Sequence, residues 1–136
     1  MEWTCPQCGR IFEKANQPHS CKKVPLDQHF NNKPGVKYLF DHLLERINAE
    51  IGECQVISIP CCIHLFGRYD FLAALPKRDR LEIRFTSDRE MDHPRFHHCV
   101  PMSARVFKIC LDVFKAEEID EELMHWLQES YHLKDK

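Results

Sequence analysis

The chain has 136 residues, room for one ordinary domain or for a small module joined to a compact one. An apolar fraction of 43% excludes a disordered polymer, and 19 basic against 21 acidic side chains leave no overall pull toward nucleic acid or anionic lipid. The start, Met1-Glu2-Trp3-Thr4-Cys5, lacks the basic and apolar segments of a signal peptide, and no apolar run reaches bilayer length; the expectation is a soluble, cytoplasmic protein with no membrane partner.

Eight cysteines in such a chain are not read as disulfides. Three of them, with one histidine, open the chain at metal-ligand spacing. Cys5-Pro6-Gln7-Cys8-Gly9 is a turn that bends two thiolates around one ion, and Gly9 supplies the backbone freedom such a turn needs. His19-Ser20-Cys21 supplies the second pair, giving C-x2-C-x10-H-x-C. The metal set is therefore Cys5, Cys8, His19 and Cys21 around one zinc, with His29 as the alternative fourth ligand. Four protein ligands leave no position for water, so the site is structural. A redox pair is disfavoured, because nothing helical follows Cys8. Residues 3–12 read as a short hairpin with Trp3, Ile11 and Phe12 as its apolar patch.

Residues 1–24 thus form a zinc knuckle and 25–33 a polar linker. The linker carries one short turn, Leu26 to Phe30, and Phe30 docks on the main domain. From Pro34 to Ile51 apolar residues recur at three- and four-residue steps (Val36, Leu39, Phe40, Leu43, Leu44, Ile47, Ile51), the signature of an amphipathic helix. Pro34 suits its first turn and Gly52 its stop. The period then shortens. Gln55 to Ile59, Cys61 to Phe66 and Tyr69 to Leu75 are short strand-like runs. Leu81, Ile83 and Phe85 alternate with Glu82, Arg84 and Thr86, as in a strand with one wet face. Residues 87–103 read as irregular. Phe107, Ile109, Leu111 and Val113 mark a further strand, and a last helix runs from about Glu118 to Tyr131. Residues 34–136 therefore form an α+β domain: a helix, a four- or five-stranded mainly antiparallel sheet and a C-terminal helix, with both helices on one face.

Trp3-Thr4-Cys5-Pro6, Cys8-Gly9-Arg10, Phe12, Asn16-Gln17, His19 and Cys21 resemble the head of an uncharacterised bacterial family, domain of unknown function 5655. His29-Phe30, Phe40-Asp41, Arg68 with Phe71, His93-Pro94-Arg95-Phe96 and Asp120-Glu121-Glu122-Leu123 with Trp126-Leu127 extend the resemblance over nearly the whole chain. It supports the same four zinc ligands and implies no reaction. Relatives often carry a basic stretch where this chain reads Pro60-Cys61-Cys62.

Beyond the zinc, the signals are weaker. The five remaining cysteines sit among apolar residues and read as small buried hydrophobes. Alternation along a strand sends Cys61 and Cys62 to opposite faces, so the two are not expected to serve one centre. His64 shares a face with Cys62 and Phe66, and a core thiol beside a satisfied histidine is preferred to a nucleophile pair. His93, His97, His98 and Cys99 are read as a surface loop rather than a second metal site. Between residues 67 and 108 nine basic side chains face six acidic ones. Arg68, Arg84, His93, Arg95 and Lys108 are the candidate ligand or phosphate contacts.

No Gly-rich phosphate loop, carboxylate pair or nucleophile elbow occurs. The leading expectation is a zinc-binding, non-catalytic module for nucleic acid or a protein partner. One alternative is a small enzyme with a sheet–helix pocket using His64, Arg68, His93 and Arg95. Another is a structural or oligomeric protein paired through a sheet edge.

Overall fold

The computed structural model describes residues 3–6, 11–12, 23–67, 70–103 and 105–133. At the amino end β1 (Trp3–Thr4) pairs antiparallel with β2 (Ile11–Phe12), Trp3 opposite Phe12 and Thr4 opposite Ile11. This is the hairpin expected around the first cysteine pair. A 3-10 turn, Leu26–Phe30, comes next among the described elements; Phe30 is buried and its ring meets Phe40 at 5.4 Å.

Helix α1 (Pro34–Glu50) starts with proline in its first turn and buries Val36, Leu39, Phe40, Leu43 and Ile47. Its last carbonyls are closed by the N–H groups of Ile51 and Gly52, both donating to Ile47 O. The main sheet contains β3 (Gln55–Ile59), β4 (Cys62–Phe66), β5 (Asp70–Pro76), β6 (Leu81–Ser87), β7 (Phe96–Ser103) and β8 (Val106–Val113). Their spatial order is β3-β4-β5-β6-β8-β7, and every neighbouring pair is antiparallel. Among the described residues no helix is long and apolar enough to cross a membrane.

The sheet has six strands, where the sequence suggested four or five. The extra strand is β7, in a segment read as irregular. It lies at the sheet edge, where a proline such as Pro101 is tolerated, and its register slips between Phe96 and His98 and again between Pro101 and Ser103. Those irregularities break the two-residue alternation that would have revealed it.

Alternation elsewhere sorts the side chains cleanly. Leu65, Leu72, Ile83, Phe85, Ile109 and Leu111 face the helices and are at most 2% exposed. Both helices contact β5 and β6 on this face. Burial of these aliphatic and aromatic groups, each contributing about 1.5–3 kcal/mol, dominates the stability of the domain.

Helix α2 (Glu121–Tyr131) begins three residues later than the sequence suggested, because Ala116–Glu118 forms a separate 3-10 turn. Asp120 sets the start: its side chain accepts from Leu123 N–H at 3.0 Å. Ser130 is 1% exposed and locks the helix to the sheet, donating to Phe71 O at 3.0 Å and accepting from Thr86 N–H at 3.2 Å. Arg46 of α1 donates to Ile119 O and so ties the two helices together.

Burial alone would raise the Asp120 carboxyl. The Leu123 N–H and the Arg95 guanidinium, 3.1 Å away, overcome it and hold the group below its ordinary value. Asp120→Ala is expected to lower stability by about 1–2 kcal/mol at neutral pH, the usual cost of losing an N-cap. A carboxyl with a depressed folded value stabilises above its unfolded pKa, and that stability disappears as pH falls through the folded value. The melting temperatures of variant and parent should therefore converge in acid, which thermal denaturation across pH measures directly.

Candidate functional site

The face of the sheet turned away from the helices carries the polar chemistry. Near β3 and β4 it is apolar: Ile57, Ile59, Cys62 and Phe66 form a second buried cluster with Leu75 against it. Set into this cluster is a group of thiols and one imidazole. Cys62 Sγ lies 3.1 Å from His64 Nε2 and 2.9 Å from Cys61 Sγ. On the far side of the ring, Asp70 Oδ2 approaches His64 Nδ1 at 2.7 Å. That approach does not meet hydrogen-bond angles, so we treat it as an electrostatic contact that orients the ring.

Local folding explains the cluster. Ile59 and Cys62 are cross-strand partners, leaving Pro60 and Cys61 as the two-residue tip of the β3–β4 hairpin. Cys61 is thus a turn residue, and strand alternation does not govern it. The expectation that the two thiols face opposite sides is corrected: they are adjacent on one side of the sheet. Cys61 is also exposed, unlike the buried hydrophobe that was expected, whereas Cys62 is 7% exposed. The sharing of one face by Cys62, His64 and Phe66 follows from alternation. Asp70 opens β5, opposite Phe66, where the register shifts between Leu65 and Phe66. That irregularity brings its carboxylate to the imidazole.

Burial, followed by the hydrogen bond with Cys61, pushes the Cys62 thiol up to about 12. Desolvation likewise pushes Cys54 up to about 11 and raises Cys110. Cys62, His64 and Asp70 have the order of a nucleophile, base and orienting carboxylate, but a buried neutral thiol lacks the accessible thiolate that such chemistry requires.

Further along the same face, charges meet in pairs. Glu82, 6% exposed, receives Arg84 Nε at 2.6 Å and faces Lys77 Nζ at 3.7 Å. Burial would raise the Glu82 carboxyl; the Arg84 hydrogen bond and charge, with Lys77, outweigh it and hold the carboxyl low. Glu82, His97 and Asp112 offer a second group of potential ligand atoms within 4.8 Å of one another. Lys77, Arg84 and Arg80 already neutralise those carboxylates, Arg80 Nε lying 3.4 Å from Asp112, so a cation would have to displace them.

The other sequence candidates do not converge. Arg84 and Lys108 lie on the outer face, Arg84 opposite Cys110 and Lys108 opposite Thr86. His93 and Arg95 are on the helix side. The His93 ring stands edge-on to Trp126 at 4.9 Å, and Arg95 donates to Asp120 at 3.1 Å and to Glu118 O at 2.7 Å. His64 is therefore separated from His93 and Arg95 by the sheet itself. His97, His98 and Cys99 lie in strand β7 rather than in a surface loop: His97 and His98 meet through their Nδ1 atoms at 2.7 Å, while Cys99 packs against the helix-side core, so the four residues do not form one cluster. His29 lies in the linker turn. Of the expected zinc ligands, Cys5 is buried at 4% exposure; Cys8, His19 and Cys21 lie outside the described residues, as does Arg68.

Two grooves occur elsewhere. One of about 190 Å³ lies between the end of β6 and the end of α2, lined by Met91, Trp126 and Leu133 among others. The other, about 460 Å³, runs from the start of α1 to Phe114. Neither borders the thiols. Tyr38 and Phe114, 60% and 54% exposed, line the larger groove.

Asp70 is the member of the thiol–imidazole group that sequence reasoning missed. Its only signal was its position beside a turn, since nothing in the spacing announces a strand irregularity.

No curated protein and no solved structure matches the chain at a significant level. A family model does match, over residues 26–134, which includes both helices and all six strands of the main sheet and begins after the cysteine-rich head. The chain belongs to the family described as a domain of unknown function (DUF5655).

Proposed function

We propose that the protein is a zinc-binding, non-catalytic module that engages a protein partner. The observation that carries the zinc is the pairing of Trp3–Thr4 with Ile11–Phe12 on either side of the Cys5-Pro6-Gln7-Cys8 sequence, with Cys5 buried at 4% exposure. A hairpin of two-residue strands has too little apolar area to be stable alone, and a metal bound by Cys5, Cys8, His19 and Cys21 supplies the missing free energy.

The choice of a protein over nucleic acid rests on charge pairing. Five of the nine basic side chains between residues 67 and 108 meet carboxylates: Lys77 and Arg84 at Glu82, Arg80 at Asp79 and Asp112, Arg89 at Asp88 and Glu129, Arg95 at Asp120. A surface already neutralised gives little counterion release on a phosphate backbone. Exposed Tyr38 and Phe114 at the larger groove suit an apolar protein contact instead.

The test is elemental analysis with hydrogen exchange. The purified chain should hold zinc, and Cys21→Ser should lose that ion and the exchange protection of the β1–β2 amides while the main domain keeps its melting temperature. A metal-free wild-type protein with those amides still protected would refute the zinc assignment. Tight oligonucleotide binding that weakens steeply with salt would refute the preference for a protein partner.

A further inference from the structure

We propose a second metal site on the outer face of the sheet, in which Cys61, Cys62 and His64 bind one soft metal ion such as zinc or cuprous copper. It is separate from the four-ligand head in sequence and in ligands.

Three observations converge. Cys61 Sγ, Cys62 Sγ and a His64 ring nitrogen lie within 4.8 Å of one another, so one ion reaches all three. Two thiols and an imidazole form a donor set that favours zinc or cuprous copper over magnesium or calcium. The third observation is the Asp70 carboxylate, 2.7 Å from His64 Nδ1. Histidines that bind metals through one nitrogen commonly have a carboxylate on the other, which fixes the tautomer and raises the basicity of the ligand. His64 turns Nδ1 to Asp70 and Nε2 to Cys62. A histidine that merely filled space in the Ile57–Phe66 cluster would need neither neighbour.

Access and charge agree with this assignment. Cys61 is exposed at the hairpin tip, giving an ion a route in, while the apolar surroundings of Cys62 exclude competing water. Binding expels the two thiol protons to solvent, and two thiolates balance a divalent ion. The sulfur and nitrogen atoms must spread to roughly 3.5–3.8 Å to sit around a tetrahedral zinc. Cys61, in the turn and exposed, has the freedom to make that adjustment. Three protein ligands leave the fourth position open, so this ion is exchangeable where the head ion is not.

Zinc titration of the full chain, purified under reductant and competed with a chromophoric chelator, tests the site. Wild-type protein should bind two equivalents, one tightly and one more weakly. Cys61→Ser and His64→Ala should each lose the weaker equivalent alone, and Cys21→Ser the tighter one alone. Asp70→Asn keeps all three ligands and should weaken the second ion by about 10–100-fold without affecting the first. If only the head assignment is wrong, wild-type protein binds one equivalent, lost in Cys61→Ser and kept in Cys21→Ser. Unchanged stoichiometry and affinity in both Cys61→Ser and His64→Ala would overturn the proposal, as would a wild-type chain holding only the ion lost in Cys21→Ser.

Discussion

Arg84→Ala is expected to destabilise the domain by about 2–4 kcal/mol at neutral pH, because removing one member of a desolvated ion pair strands the other. Glu82 is 6% exposed and Arg84 Nε lies 2.6 Å from its carboxylate; without the guanidinium, Lys77 at 3.7 Å and the more weakly acting His97 are left facing the charge. The figure sits below the full cost for a buried pair because the Arg84 side chain is itself 35% exposed and partly screened.

The pH dependence has a definite sign. In the parent the Glu82 carboxyl is held below its ordinary value, so its contribution is present above the unfolded pKa and is lost as pH falls through the folded one. In the variant the buried carboxylate keeps its desolvation cost without the Arg84 contact, so protonation in acid removes the penalty. The stability gap between parent and variant should therefore narrow as pH falls through the ordinary glutamate range and close only below the depressed value of the parent carboxyl. Urea denaturation at neutral and acid pH measures it. A gap that stays constant across that range would show that Glu82 is not a charge held by Arg84. Arg84→Ala combined with Glu82→Gln should recover much of the loss, since no charge is then left buried.

How much of this was legible beforehand depends on periodicity. Helix α1 follows from seven apolar residues at helical steps, and β6 and β8 follow from strict alternation, because each element buries one face against a single layer. The edge strand β7 escaped because Pro101 and two register slips erase that alternation, and tertiary pairing with β8 overrides the local signal. The thiol cluster escaped for a related reason. Cys61 and Cys62 belong to a turn and a strand respectively, so a rule valid inside strands gave the wrong geometry one residue outside them. The candidate cations were nameable by type, but their partners were not. Arg84 beside Glu82 and Arg95 beside Asp120 are ion pairs, and only the fold shows that those charges are taken. Composition counted nine basic side chains against six and had no access to which of them meet.

The second large effect is expected at Tyr131, in the last turn of α2. Its ring stands edge-on to Phe71 at 5.1 Å and its hydroxyl donates to Glu53 O at 2.9 Å. Two glycines make room for it: a Cβ added at Gly67 would lie 2.8 Å from Tyr131 Cζ, and one at Gly52 would lie 2.8 Å from the hydroxyl oxygen. Tyr131→Ala should cost about 3 kcal/mol, toward the low end for truncating a large aromatic because the residue is only half-buried. Tyr131→Phe, which keeps the ring, should cost only about 1 kcal/mol for the hydrogen bond. Gly67→Ala should destabilise by about 1–3 kcal/mol, as overpacking does, because a rigid ring rather than a flexible side-chain end blocks the new methyl. The two substitutions must then be non-additive: with Tyr131 already alanine, the three nearest atoms that the methyl at Gly67 would meet are gone and its cost should fall sharply. A double-mutant cycle by thermal or urea unfolding reads the coupling, and additive costs would exclude the wedge. Gly67 directly follows β4 and Asp70 opens β5, so the ring packs against the end of the strand that carries His64, three residues before Asp70. Tyr131→Ala should accordingly weaken zinc at the proposed Cys61–Cys62–His64 site. Stability and binding would thus fail together through one side chain that touches none of the ligands.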